Sequence, residues 1–171
     1  MKNYNPTLVL TYLPHLDYNL QRLGPDLKHK TLIKDLNMID SLCGGLIEQA
    51  YSENRDVIVV SEYGITPVTD AIHINKTLRA HDLLNVRNEM GRDVFDPGAS
   101  KAFAVSDHQL AHIYIKNKKD IKKVKEIISN LDGVETVLDK KDKSKYGLDH
   151  HRSGELIAIS NTDRWLSLIH I

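Results

Sequence analysis

What this 171-residue chain has little of narrows the field first. It holds one cysteine, Cys43, so no disulfide can close within it and no cysteine framework can build a metal site. Cys43 sits beside Leu42 in a helical pattern, where a thiol serves as a small core residue. Aromatic residues make up only 6%, and neither sign of charge is in excess, with 23 Lys plus Arg against 23 Asp plus Glu. That balance removes any global electrostatic reason to bind a nucleic-acid polymer or an anionic membrane surface. The six lysines between Lys116 and Lys125 have no arginine or aromatic residue among them, and they read as the solvated face of an amphipathic helix. No apolar run approaches the ~18 residues of a membrane-spanning helix. The opening MKNYNPTLVLTYL lacks the basic start and long apolar core of a secretory signal, so a cytoplasmic location is expected. With 41% hydrophobic residues, a chain of this length can bury a core.

What is present is an alternation of strand-type and helix-type patterns. PTLVLTYL reads as a strand. Leu32, Leu36, Ile39, Cys43, Leu46 and Ala50 then recur at steps of four and three, marking a helix over 25–53 that starts at Pro25 and Asp26. Gly44 and Gly45 in its middle imply close packing against a strand. DVIVVSEYG is a second buried strand, NKTLRAHDLL a short helix, and LNVRNEM and DVFDP are strands around a turn at Gly91. KAFAVSDHQLAHIYIKN gives two strands joined through residues 106–109. An amphipathic helix follows with Ile121, Val124, Ile127, Ile128 and Leu131 inward, then the strands VETVL and ELIAIS. This order predicts an α/β fold with a mainly parallel sheet sandwiched by helices and a small antiparallel insertion over roughly 84–116. The strands around 8–10 and 57–60 are expected to lie parallel, with the long helix packed on them. A strand beginning at residue 7 and a tail, NTDRWLSLIHI, that stops in mid-pattern lead to the expectation of a partial domain over 1–171, lacking its N-terminal half and C-terminal end.

Open α/β sheets place their chemistry at the carboxyl ends of strands. The first strand ends in a loop with His15, Asp17 and Gln21 before Gly24-Pro25; the second ends in Ser61, Glu62, Tyr63 and Gly64. Neighbouring parallel strands would bring the Asp17 and Glu62 carboxylates into one crevice, where they could hold a cation or one ordered ligand. The plainer reading makes Asp17 a loop acid bonded to nearby amides and Glu62 a helix-capping or surface acid. Elsewhere, His150 and His151 belong to a polar loop and should point opposite ways. Asp107, His108 and His112 lack the helical spacing of a metal set, and His73 is a half-buried strand or turn residue.

DYNLQRLGP, a long helix, and then VIVVSEYGITPV resemble the type I phosphodiesterase and nucleotide pyrophosphatase family of the alkaline phosphatase superfamily. In that family the first loop reads Asp, three residues, His and then Gly-Pro, and the second reads Ser-Asp-His-Gly. The spacings from Asp17 to Gly24-Pro25 and from Ser61 to Gly64 agree, and HIYIKN and RSGELIAIS fall where the family has later strands. The resemblance implies hydrolysis of a small-molecule phosphate ester with divalent metal ions, zinc among them. It also implies a Thr or Ser nucleophile upstream, so no catalytic residue is expected in this chain and the chain alone should be inactive. It assigns Asp17 and Glu62 as metal ligands, and Gln21 and Tyr63 to orient substrate or fill the vacated ligand positions; His15, on the first loop, is a further substrate-binding candidate. It leaves the last metal-binding histidine beyond ELIAIS, and His170 is not adopted for that role. The departures are chemical: Gln21 stands where the family has a metal-binding histidine, and Glu62-Tyr63 where it has Asp-His. Two readings follow. One is part of a metal-dependent phosphodiesterase or nucleotide pyrophosphatase-like hydrolase; the other is a relative that binds a phosphorylated metabolite without two-metal hydrolysis. Metal content separates them.

Overall fold

The computed structural model describes residues 4–167 and 171. The chain divides into two compact units, Met1–Pro67 and Val68–Ile171.

In the first unit, helix α1 (His15–Leu23) occupies what the sequence suggested was a loop. Asp17 in its first turn and Arg22 in its last complement the helix dipole. Gly24 ends the helix with φ at 75°, a left-handed conformation that glycine adopts without steric cost. Residues 25–29 form a turn, and α2 (Lys30–Ser52) begins later than the proline had suggested. The reason is a cap: the His29 ring nitrogen accepts the Thr31 amide at 3.2 Å. Asn19 donates to Asp35 at 2.6 Å and ties α1 to α2. Along α2, Leu32 is buried and Ile39, Cys43, Ile47 and Ala50 are half-buried, whereas Leu36 and Leu46 face outward. Gly44 and Gly45 have open space where a Cβ would stand, so neither marks a close approach.

The two strand-patterned segments, 7–13 and 57–60, form no ladder among the described residues. Their expected direction is nonetheless kept by polar ties at both ends. Arg55 donates to the Pro6 carbonyl at 2.7 Å and to the Asn5 side chain, which joins the segments where they begin. Tyr63 donates to Asp17 at 2.8 Å, which joins them where they end. The segments therefore run the same way, start beside start and end beside end. Leu8, Leu10, Ile58, Val59 and Val60 are exposed. A strand is held by cross-strand pairs, and two strands without further neighbours are marginal.

In the second unit, β1 (Asp70–Ile72) lies parallel to β8 (Arg164–Leu166). After α3 (Ile74–Ala80) comes a hairpin of β2 (Asn85–Glu89) and β3 (Arg92–Asp96), whose turn residues Met90 and Gly91 both have positive φ. The main sheet contains β4 (Ala102–Asp107), β5 (Leu110–Ile115), β6 (Val134–Leu138) and β7 (Leu156–Ser160) in the order β4-β5-β7-β6, antiparallel throughout. Helix α4 (Ile121–Ser129) precedes β6, and the short α5 (Lys140–Lys145) follows it. The fold is the mixed α/β class expected, with parallel pairing in β1–β8. Its antiparallel part runs beyond 84–116, because β7 returns beside β5. The sequence pattern had not indicated β1, β8 or α5, the first two being only three residues long.

The core of this unit includes Leu78, Ile113, Val124, Ile128, Leu156, Ala158 and Leu166. Val124 and Ile128 are buried on the inward side of α4 while Lys122 and Lys123 face solvent, as the amphipathic pattern required. Asn75, buried on α3, acts as a strand surrogate: its amide donates to the Ala104 carbonyl at 2.9 Å and its oxygen accepts the Ala104 amide at 2.7 Å. Two polar groups on β4 are thereby satisfied by a helix.

Candidate functional site

The polar cluster of the first unit is built from one helix and one loop. On α1 a spacing of four residues puts Asp17 and Gln21 on one face, and Gln21 Nε2 donates to Asp17 Oδ1 at 3.0 Å and Oδ2 at 2.9 Å. Tyr63, 46 residues further along the chain, donates its hydroxyl to Asp17 Oδ1 at 2.8 Å. Ser61 Oγ donates to the Tyr63 carbonyl at 3.0 Å and shapes the turn that presents the ring. The bond to the Asp17 carboxylate pushes the Tyr63 phenol above its ordinary pKa of 10.0, with desolvation and the charges of Asp17, Tyr12 and Glu62 adding to it. Tyr63 is accordingly a neutral donor near pH 7.

The structure thus brings together Asp17, Gln21 and Tyr63. His15 opens α1 and is exposed; Glu62 is exposed beside Tyr63. The residue bonded to Asp17 is Tyr63, the neighbour of Glu62. Asn19, which anchors α1, was missed by sequence reasoning, as was the Asp17–Gln21 bond. The four-residue spacing would have revealed that bond had 15–23 been read as helical.

The other candidates serve local structure. His108 lies 3.5 Å from Asp107 at a hairpin tip, and His112 Nδ1 accepts the Gly154 amide at 3.3 Å. His150 accepts the Arg152 amide at 3.2 Å. The rings of His150 and His151 stand 4.1 Å apart, centroid to centroid; they do not diverge, because the segment is a turn and lacks the alternation of an extended strand. His73 is half-buried just before α3. His170 lies outside the described residues. Among the described residues, no group of three or more His, Cys, Asp or Glu side chains is placed to hold a metal ion.

Residues 1–168 match the family described as type I phosphodiesterase / nucleotide pyrophosphatase. The chain belongs to that family. No curated protein matches it significantly. Among solved structures, murine ectonucleotide pyrophosphatase / phosphodiesterase 5 is similar over 88% of this chain and 36% of its own, with 17% identity and a TM-score of 0.61. Phosphonoacetate hydrolase from Sinorhizobium meliloti 1021, solved with phosphonoacetate, shares 18% identity over 58% of this chain and 24% of its own, with a TM-score of 0.41. The chain therefore spans about a third of the murine protein's solved length and a quarter of the bacterial one's. The murine likeness gives an alkaline phosphatase-like fold. No helix among the described residues is long and apolar enough to cross a membrane.

The family is generally dependent on divalent metal ions. The donors at Asp17 do not fit a zinc pair. Zinc sites use thiolate, imidazole and carboxylate lone pairs, whereas Gln21 and Tyr63 both present hydrogens to the carboxylate. Asp17 Oδ1 receives two of these bonds and Oδ2 one.

Proposed function

We propose that the protein carrying this chain acts on a small phosphate ester of the phosphodiester or pyrophosphate class, and that Asp17, Gln21 and Tyr63 form one edge of its site. The observation that carries this reading is the bond between Asp17 and Tyr63, which joins the two segments whose spacing resembles the family's ligand-bearing loops. Asp17 is the anionic acceptor that fixes the other two. Gln21 keeps its carbonyl oxygen for a ligand's polar groups, and Tyr63 lines the same edge through its bond to Asp17. His15 offers a ring N–H to a phosphoryl oxygen, and Glu62 supplies a second carboxylate on the Tyr63 turn. Attack on phosphorus falls to a hydroxyl outside this chain; the residues here orient the ester. Segments 7–13 and 57–60 are, in this reading, neighbouring strands of one alkaline phosphatase-like domain, and further strands cover their apolar side chains.

A second reading, binding without turnover, is favoured by the fact that Asp17 is already satisfied by neutral donors. Hydrolysis of bis(p-nitrophenyl) phosphate by the protein carrying this chain, together with calorimetric binding of the same ester, separates the two. Hydrolysis is expected, with kcat/KM lowered at least about tenfold in Asp17→Ala (~1.4 kcal/mol) and an unchanged circular dichroism spectrum. Turnover indifferent to Asp17→Ala would remove these residues from the site, and binding with no turnover would favour the second reading.

A further inference from the structure

We infer that Asp17 is a carboxylate site without a cation, in which the Gln21 amide and the Tyr63 phenol together take the place of a zinc ion. The inference rests on the proposed function only for the site's location, and it concerns what that site holds. A zinc ion at this position would draw a lone pair from each surrounding side chain at about 2.0–2.2 Å for nitrogen or oxygen. The contacts made by Gln21 and Tyr63 run the other way, with hydrogens directed at the carboxylate.

These two neutral donors do what the ion would otherwise do. They give both Asp17 oxygens a partner, and they tie together segments 46 residues apart. Their arrangement is prepared by the backbone. The four-residue step on α1 sets Gln21 over Asp17, and the turn closed by Ser61 presents Tyr63. A cation would have to break these bonds to reach the carboxylate. It would then find an amide and a phenol, both weak partners for a zinc-like ion. Asp17 is in this account a positioning residue, holding Gln21 and Tyr63 toward the ester.

Zinc retention tests the inference without an activity assay. The protein is dialysed against chelator, loaded with zinc chloride, desalted and measured by elemental analysis. The wild type is expected to retain no more zinc than Asp17→Ala. The Gln21→His, Tyr63→His double variant, which sets two imidazoles beside the carboxylate, should bind zinc at least about tenfold more tightly than wild type in a competition titration. Gln21→His alone serves if the double variant fails to fold. Near-stoichiometric zinc in wild type that is lost in Asp17→Ala would overturn the inference. So would histidine variants that fold and gain no zinc, since these donors would then not be what stands in the ion's place. Failure of the ester to be hydrolysed or bound would count against the proposed function and leave this result standing.

Discussion

The two units of the chain use the same strand-forming residues to opposite effect. In Val68–Ile171, segments such as LAHIYI and LIAIS pair into a four-stranded sheet, and Ile113, Leu156 and Ala158 become fully buried. In Met1–Pro67, VLTYL and VIVV are as rich in β-branched and apolar residues, yet Leu32 is the one buried hydrophobic residue among those described, and Ile58 is 85% exposed. β-propensity therefore acts as fitness for a pleated, half-buried surface and not as an independent drive to form a strand. Where neighbours exist on both sides the pattern closes into a core. Where they do not, polar ties at Arg55 and Tyr63 set the course of the chain.

The largest expected effect tests this contrast directly. Leu156→Ala in the second unit should cost about 2–5 kcal/mol in urea unfolding, because it opens a cavity under a packed sheet. In the 171-residue chain Ile58→Ala should stay within about 0.5 kcal/mol of wild type, because its side chain is exposed there. Equal losses from the two substitutions would show that the 57–60 segment is packed after all.

A smaller effect sharpens the same contrast by making one substitution in both units. A Cβ at Gly154 would stand 2.5 Å from the Ile113 carbonyl oxygen and 2.6 Å from its nitrogen, whereas Gly45 in α2 has no atom within 4 Å. Gly154→Ala should thus destabilise by about 1–3 kcal/mol. Gly45→Ala should stabilise α2 by about 0.5–1 kcal/mol through helix propensity alone. Hydrogen exchange of the α2 and β5 amides reads the two effects separately, and a destabilising Gly45→Ala would point to a close contact at that helix face.

How much of this was legible in the sequence follows from the same physics. The β2–β3 and β4–β5 hairpins, β6, β7 and α4 were readable because each carries its own alternation or amphipathic stripe, and each finds its partner within the chain. β1 and β8 were not, since three residues are too few to show a period and their pairing joins positions 94 residues apart. α1 was missed because Pro14 and Gly24-Pro25 bracket it with turn signals, which outweighed the four-residue spacing of Asp17 and Gln21. At the site, the sequence singled out the two segments that carry Asp17 and Tyr63. Whether Glu62 or its neighbour Tyr63 reached Asp17 depended on the local turn at Ser61, which the pattern does not encode.

The central claim is that a phenol–carboxylate bond joins the ends of the two segments in the first unit, and titration of the Tyr63 ring tests it most directly. Since the bond raises the folded pKa of Tyr63 above 10.0, its stabilising contribution is fully present below pH 10 and is lost as pH rises through the folded value. Carbon-13 NMR of ring-labelled tyrosine, with Tyr63→Phe for assignment, should give Tyr63 a midpoint above 10.0 that falls toward 10.0 in Asp17→Asn. A Tyr63 midpoint identical in wild type and Asp17→Asn would contradict the account.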